Sequence, residues 1–464
     1  MVEEDHGGDA GMRSAGGTVT TSGGTSSAGT SSGGTSSGGT SSGGSAIVPA
    51  RGGVGNEPNE ASAGSNDPAT EGGTQAVGGA RGSEASAGEG GGGAVDPPPN
   101  CDLTPVGPTC AEPTAGSPLY SVSLGSLVKR TQGRAPATHT RGINVHGVII
   151  GTSETCDGER SFVFEQGEMH ELSSLTPQSG EWQVVDINDS GVIAGMSDTR
   201  PTLWRNRVPE AIPGLPDSLS LYVVALTNNE QVLLAGYRSP ESPSGACLFH
   251  SNSTSTNCRT SFIHRDGALT EIPFDQPSYS LSGGAINESG QVVGEITLGT
   301  PGESGYTVPF FYDGETTHVL PTFGAGGGAH GINGAGDVVG YALLDDGSSR
   351  AMLWRDGQPI DISPCGEGCF DARAHYITNS GAIVGNVRST TSSSLRPFVY
   401  RDGTYTFLDV FESRASVAAI NDAGIMVGAR ATPGATPGAT IHKAVVWSPT
   451  CFDMCCPTSS SPAD

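Results

Sequence analysis

The sequence predicts an all-β protein: a seven-bladed β-propeller with four-stranded blades, closed by an N-terminal strand and preceded by a disordered Gly/Ser/Thr-rich tail. Three observations carry this expectation. One short phrase recurs seven times. Short apolar runs alternate with Gly, Pro, Asn and Asp turns, with no helical periodicity. The strand that the last repeat lacks stands ahead of the first.

The phrase begins at Ile143 (INVHGVIIG), Ile187 (INDSGVIAG), Leu226 (LTNNEQVLLAG), Ile286 (INESGQVVG), Ile332 (INGAGDVVG), Ile377 (ITNSGAIVG) and Ile420 (INDAGIMVG). Successive starts lie 39 to 60 residues apart, the spacing of a repeat array. In the fifth unit, Asn333 is followed three residues later by Gly336. That pair fits a type I turn whose last residue is left-handed, joining two antiparallel strands. Thr227 and Thr378 replace the Asn in two copies, and a hydroxyl makes the same backbone bond more weakly, so the position reads as turn chemistry.

Each phrase runs into a β-branched strand, then into a run such as AMLWRDG (351–357) or PFVYRDG (397–403) that ends on Asp-Gly, a strong hairpin signal. A shorter strand follows, such as PIDIS (359–363), and another, such as EWQVVD (181–186), leads into the next Ile-Asn. A four-stranded sheet cannot bury both faces alone; stacking such sheets around an axis can. The seventh unit stops after AVVWSPT (444–450), and LYSVSLGSL (119–127) supplies its missing strand, which an open solenoid would not need. SFIHRDG (261–267) is the expected second strand, counted from the phrase's own, of the longer third unit, with ACLFH as its rival. The aromatics Phe164, Trp204, Phe311, Trp354, Tyr400 and Trp447 fall at one strand position, which predicts packing between blades.

Three segments result: a tail over 1–117, the repeats over 118–450, and a Cys-containing end over 451–464. Residues 1–117 hold no aromatic residue, so they cannot bury enough apolar surface to offset chain entropy. The chain carries a net charge of −25, with no Lys/Arg run. That excludes nucleic acid and anionic membrane surfaces as expected partners. No apolar stretch of about 18 residues predicts a membrane span.

Ten cysteines, several close in sequence, suggest disulfides and an oxidising compartment. The near neighbours are Cys101/Cys110, Cys247/Cys258, Cys365/Cys369 and the group Cys451, Cys455 and Cys456, with Cys156 apart. The start MVEEDHGGDAG shows no signal peptide, so a start assigned too far downstream or a removed signal is expected for an extracellular or cell-surface protein.

No nucleophile elbow, HExxH, P-loop or dinucleotide fingerprint is present, nor the S-x-D-x-G-x-x-W box of sialidase-like propellers. GAGGGAHG (324–331) reads as a flexible loop rather than a phosphate cradle. Two residues before each phrase stand Arg141, Val185, Val224, Gly284, His330, His375 and Ala418. If these strands are innermost, His330 and His375 come from adjacent blades and could hold an anion with Arg141, or a metal with a nearby carboxylate. Calcium at turns such as Asp186–Gly191 or Asn421–Gly424 is a weaker candidate, because each turn offers too few oxygens. No other cofactor is expected.

The pattern I-N-x-x-G-x-V-V-G, then A-x-x-W-x-x-G, then a short Leu-containing strand resembles the HAF-type probable extracellular repeat family over about residues 118–450. The copies here read SFVF, AMLW or PFVY in place of His-Ala-Phe. The resemblance implies a propeller-like, often exported bacterial protein with no assigned activity. The expected function is therefore a monomeric, non-catalytic surface or secreted scaffold for a protein or polysaccharide. The alternative is a glycosidase or lyase with its site at the channel mouth.

Overall fold

The computed structural model describes residues 101–111, 119–131, 134–176, 182–237, 259–276, 278–299, 305–390, 395–408, 415–433 and 440–450. These form an all-β, propeller-type fold. The second unit shows the plan: Trp182–Ile187, Ile193–Ser197, Arg200–Arg205 and Val208–Ala211 pair in sequence order as one antiparallel sheet. The first, fifth and sixth units repeat it. The third and fourth units join in one eight-stranded sheet through a single parallel pair, Arg259↔Ser280. In the third unit Arg259–Arg265, containing SFIHR, pairs with Val232–Tyr237, so it is the third strand. The strands that lead into the phrases pack in succession, and Ala415–Ile420 of the last unit packs against Thr138–Ile143 of the first.

The phrase is a turn, as expected. Gly336 N–H donates to the Asn333 carbonyl at 3.1 Å, and Gly336 holds a φ of 85°. Asn333 Oδ1 accepts the N–H groups of Ala335 and Asp337. A second role of the Asn is new. Its Nδ2 crosses to the next unit and donates to a turn carbonyl: Asn144 to Asn188, Asn188 to Thr227, Asn287 to Asn333, Asn333 to Thr378, and Asn421 back to Asn144. Thr lacks the second arm. The Thr copies keep only the link that the Asn copies also have: the N–H of the following residue, Asn228 or Asn379, donates to Glu288 or Asp422 of the next unit, as the Asp189 and Gly334 N–H groups donate to Asn228 and Asn379. The acidic turn oxygens considered for calcium are engaged this way; Asp189 Oδ1 likewise accepts the Val145 N–H.

Tyr120–Ser123 pairs with Thr440–Ser448, completing the last sheet as predicted. A fifth strand, Thr109–Ala111, pairs on its outer side. This corrects the tail boundary at 117, since residues 101–111 form a strap on the fold. Cys101 is bonded to Cys156, not to Cys110, because the strap lies against the first unit, where Asp102 bridges to Arg130. Cys365–Cys369 is a disulfide as expected, and Cys110 is also disulfide-bonded. Cys247, Cys258, Cys451, Cys455 and Cys456 lie outside the described residues. Trp204 and Trp354 are buried at 0% and 1% exposure, each indole donating to a carbonyl of the preceding connection, Ser173 or Pro321, so this position packs blades. GAGGGAHG is not a loop: Gly326–Ile332 is the first strand of the fifth unit. A Cβ at Gly328 would overlap the Glu295 carboxylate and the Tyr341 ring.

Candidate functional site

Register shifts pick out the position two residues before each phrase. In all seven units the strand bulges there, between Thr140/Gly142, Val184/Asp186, Val223/Ala225, Gly283/Ala285, Ala329/Gly331, Ala374/Tyr376 and Val417/Ala419. A bulge leaves one residue out of the ladder and re-aims its side chain. Arg141, His330 and His375 are such residues.

His330 and His375 meet. Their rings stack with centroids 5.2 Å apart and planes 5° from parallel. Arg141 is not with them. It stands on the first unit beside His139, whose ring lies 5.3 Å from that of His442. The cation at the histidine pair is Arg373. It lies two residues before His375 on the same strand, with its guanidinium 4.3 Å from the Tyr341 ring centre.

Four further residues complete the wall. His330 Nδ1 donates to the Ala374 carbonyl at 3.1 Å, since a carbonyl only accepts. That leaves Nε2 facing Glu295 Oε1 at 3.6 Å. Tyr341 Oη donates to the same oxygen at 3.3 Å. Arg373 Nε donates to Asp371 Oδ1 at 3.0 Å, and Ser349 Oγ donates to that oxygen at 2.6 Å. Glu295 and Arg373 remain accessible, with side chains 37% and 41% exposed. Asn386 Oδ1 and Arg388 Nε, on the neighbouring strand, are buried and have no hydrogen-bond partner among the described residues.

The electrostatics follow from this geometry. Burial favours a neutral Glu295, but hydrogen bonding from His330 and Tyr341 and the charge of Arg373 outweigh it and hold the carboxyl below its usual range. Burial of Asp371 is likewise outweighed by Ser349 and Arg373, which lower it. Burial and then the Glu295 charge push the Tyr341 phenol up to about 12. His375 keeps a sliver of surface, yet protein surrounds it. That burial, with His330 and Arg373 beside it, drives the imidazole down to about 3. The site therefore presents two carboxylates, a protonated phenol, a neutral His375, and His330 with one nitrogen fixed and the other able to take a proton.

Sequence reading found His330 and His375 but missed Glu295, Tyr341, Asp371 and Arg373. A signal existed. Directly after the phrase's last Gly the copies read Thr152, Met196, Tyr237, Glu295, Tyr341, Asn386 and Ala429. Of the six ionisable residues at the two variable positions, Glu295, Tyr341, His330 and His375 fall on the fourth to sixth units, while Arg141 and Tyr237 stand on the first and third. Among the described residues no group of three His, Cys, Asp or Glu is placed to hold a metal ion.

No protein-family model matches the chain. No curated protein matches it either. Solved structures of similar fold include the Pyrococcus horikoshii acylaminoacyl peptidase, 10% identical at a TM-score of 0.46, covering 68% of this chain and 51% of that one. This chain thus spans about half the peptidase's length. An oligogalacturonate lyase in complex with manganese is 12% identical at a TM-score of 0.48, covering 75% of this chain and 98% of that one. The β-propeller domain of the Trilobed protease from Pyrococcus furiosus is 12% identical at a TM-score of 0.38, covering 66% and 99%. At such identities the likeness concerns the fold alone. It nonetheless corrects the expectation of a chain that is not an enzyme. Enzymes stand among the proteins of similar fold, so the absence of a familiar catalytic signature gives no ground for excluding catalysis.

Proposed function

We propose that this chain is an exported, seven-bladed propeller, closed by the strand Tyr120–Ser123, that binds a carbohydrate on the wall of its fourth to sixth units and cleaves it there. The turn-to-turn bonds that return from Asn421 to Asn144, and the N-terminal strand at the edge of the last sheet, support seven blades and closure. Disulfides and the resemblance to HAF-type extracellular repeats support export.

The observation that carries the functional reading is the His330–Glu295 pair. The Ala374 carbonyl fixes the tautomer, so Nε2 is the proton-accepting nitrogen, and the ionised Glu295 stabilises the imidazolium once formed. Because both carboxylates are held low, neither serves as the proton donor to a leaving oxygen; that role falls to His330. Glu295 and the Asp371–Arg373 pair offer charged hydrogen-bond partners to sugar hydroxyls.

The test incubates the full chain with a panel of soluble oligosaccharides. New reducing ends report cleavage, and ultraviolet absorbance of an unsaturated sugar separates elimination from hydrolysis. Glu295→Gln and His330→Asn should each lower the rate about 100-fold, with the far-ultraviolet circular dichroism unchanged. No cleavage of any oligosaccharide, or wild-type rates in both variants, would refute the assignment.

A further inference from the structure

First strands end, and second strands begin, at the Ile-Asn turns. First-strand starts, second-strand ends and third-strand starts therefore share the opposite side of the sheets. Six exposed large hydrophobics fall there. Tyr222 and Phe370 stand at or next to the starts of first strands, and Phe323 lies just ahead of one. Tyr237 and Leu343 end second strands, and Tyr306 starts a third strand. Their exposures run from 37% to 54%. All the large exposed aromatics among the described residues are in this set. The other exposed large hydrophobics, Leu103, Val208, Val319 and Ile360, lie on the strap or on fourth strands.

The six come from the third to sixth units, and the polar wall from the fourth to sixth. Phe370 is also held in place. It is the bulged residue between Cys369 and Asp371, directly after the Cys365–Cys369 disulfide, and Arg350 Nη1 donates to the Cys369 carbonyl at 3.1 Å. Asp371, the next residue, belongs to the wall. The aromatic side thus adjoins the candidate site where Phe370 precedes Asp371.

From this placement we infer that the side bearing Tyr222, Tyr237, Tyr306, Phe323 and Phe370 is a platform for a neutral polysaccharide chain, which it feeds to the wall. Spaced, separate rings suit pyranose units, whose C–H faces lie on aromatic faces while their hydroxyls stay in water. A protein partner would call for a contiguous apolar patch instead. The net charge of −25 disfavours a polyanion along an extended surface. The inference names the substrate class of the proposed function and rests on that reading.

The experiment is retention of the full chain on insoluble neutral polysaccharides (cellulose, xylan, mannan) and on gels of polygalacturonate and alginate, beside the oligosaccharide cleavage assay. Retention on at least one neutral polymer is expected. Tyr306→Ala combined with Phe370→Ala should weaken it about tenfold or more with unchanged circular dichroism, while Val208→Ala with Ile360→Ala should not. Cleavage of oligosaccharides without retention on any neutral polymer overturns the platform and leaves the cleavage function standing. Retention that depends on Tyr306 and Phe370 without cleavage overturns the function and leaves the platform. Retention only on the acidic gels, or retention indifferent to the aromatic pair, overturns the platform.

Discussion

Asn421 gives the sharpest test of what holds neighbouring units together. It is fully buried, and its side chain serves two elements. Oδ1 accepts the Ile425 N–H at 3.0 Å within its own turn, and Nδ2 donates to the Asn144 carbonyl of the first unit, also at 3.0 Å. Asn421→Ala leaves the part-buried Ile425 N–H without its partner and removes one of two donors to the Asn144 carbonyl, which keeps the Gly147 N–H. The orphaned N–H costs about 1–3 kcal/mol and the lost bond to the carbonyl about 1 kcal/mol, so a loss of about 2–4 kcal/mol is expected. Asn421→Thr is the informative companion. Thr227 and Thr378 already close the same turn through Oγ1, which accepts the N–H of Gln231 or Ala382. A Thr at 421 should keep the turn bond and lose only the link to Asn144, for about 1–2 kcal/mol. Equilibrium urea denaturation of the two variants measures both figures. Equal losses for Ala and Thr would show that the link to Asn144 accounts for the whole effect and the turn for none. A Thr variant as stable as wild type would show that the link contributes no stability.

Three further outcomes are expected. Gly328→Ala forces a methyl into the Glu295 carboxylate and the Tyr341 ring, so oligosaccharide cleavage should fall about 100-fold while the circular dichroism is kept. His375 titrates near 3 in the fold and near 6.5 when unfolded. The unfolded chain therefore takes up the proton first as pH falls, and stability should drop by up to about 1.4 kcal/mol per pH unit between about pH 6.5 and 3. Denaturation of His375→Gln at several pH values should show a shallower slope there, and an unchanged slope would sink the assignment. The Cys101–Cys156 bond spans 55 residues, so its removal in a Cys101→Ser, Cys156→Ser chain should cost about 4 kcal/mol in the chain-entropy treatment, read from the urea midpoint.

Local chemistry was legible in the sequence, and convergence from distant units was not. The Ile-Asn-x-x-Gly turn announces itself because its residues act on their own backbone. The Tyr120–Ser123 strand was legible because the last repeat visibly lacks a partner. The second arm of the Asn was hidden, since nothing local says that Nδ2 reaches a carbonyl in the next unit. Gly326–Ile332 was hidden for the opposite reason. Three successive glycines have no strand propensity, and the strand exists there because neighbouring backbone and side chains occupy the space of any Cβ. His330 and His375 stood out at one repeated offset. Glu295, Tyr341, Asp371 and Arg373 gained meaning only once three units set them side by side. Cys156 looked solitary because its partner sits on a strap whose path no repeat dictates.

The pairing of Tyr120–Ser123 with Thr440–Ser448 ties the order of synthesis to the order of assembly. The first of these strands leaves the ribosome early, and the second only near the end of translation. Until then the early strand has no mate, and Thr109–Ala111 can cover just one of its edges. Contacts of such sequence separation form late and slowly. Until synthesis ends the nascent chain therefore carries an open β edge, a natural station for a folding chaperone.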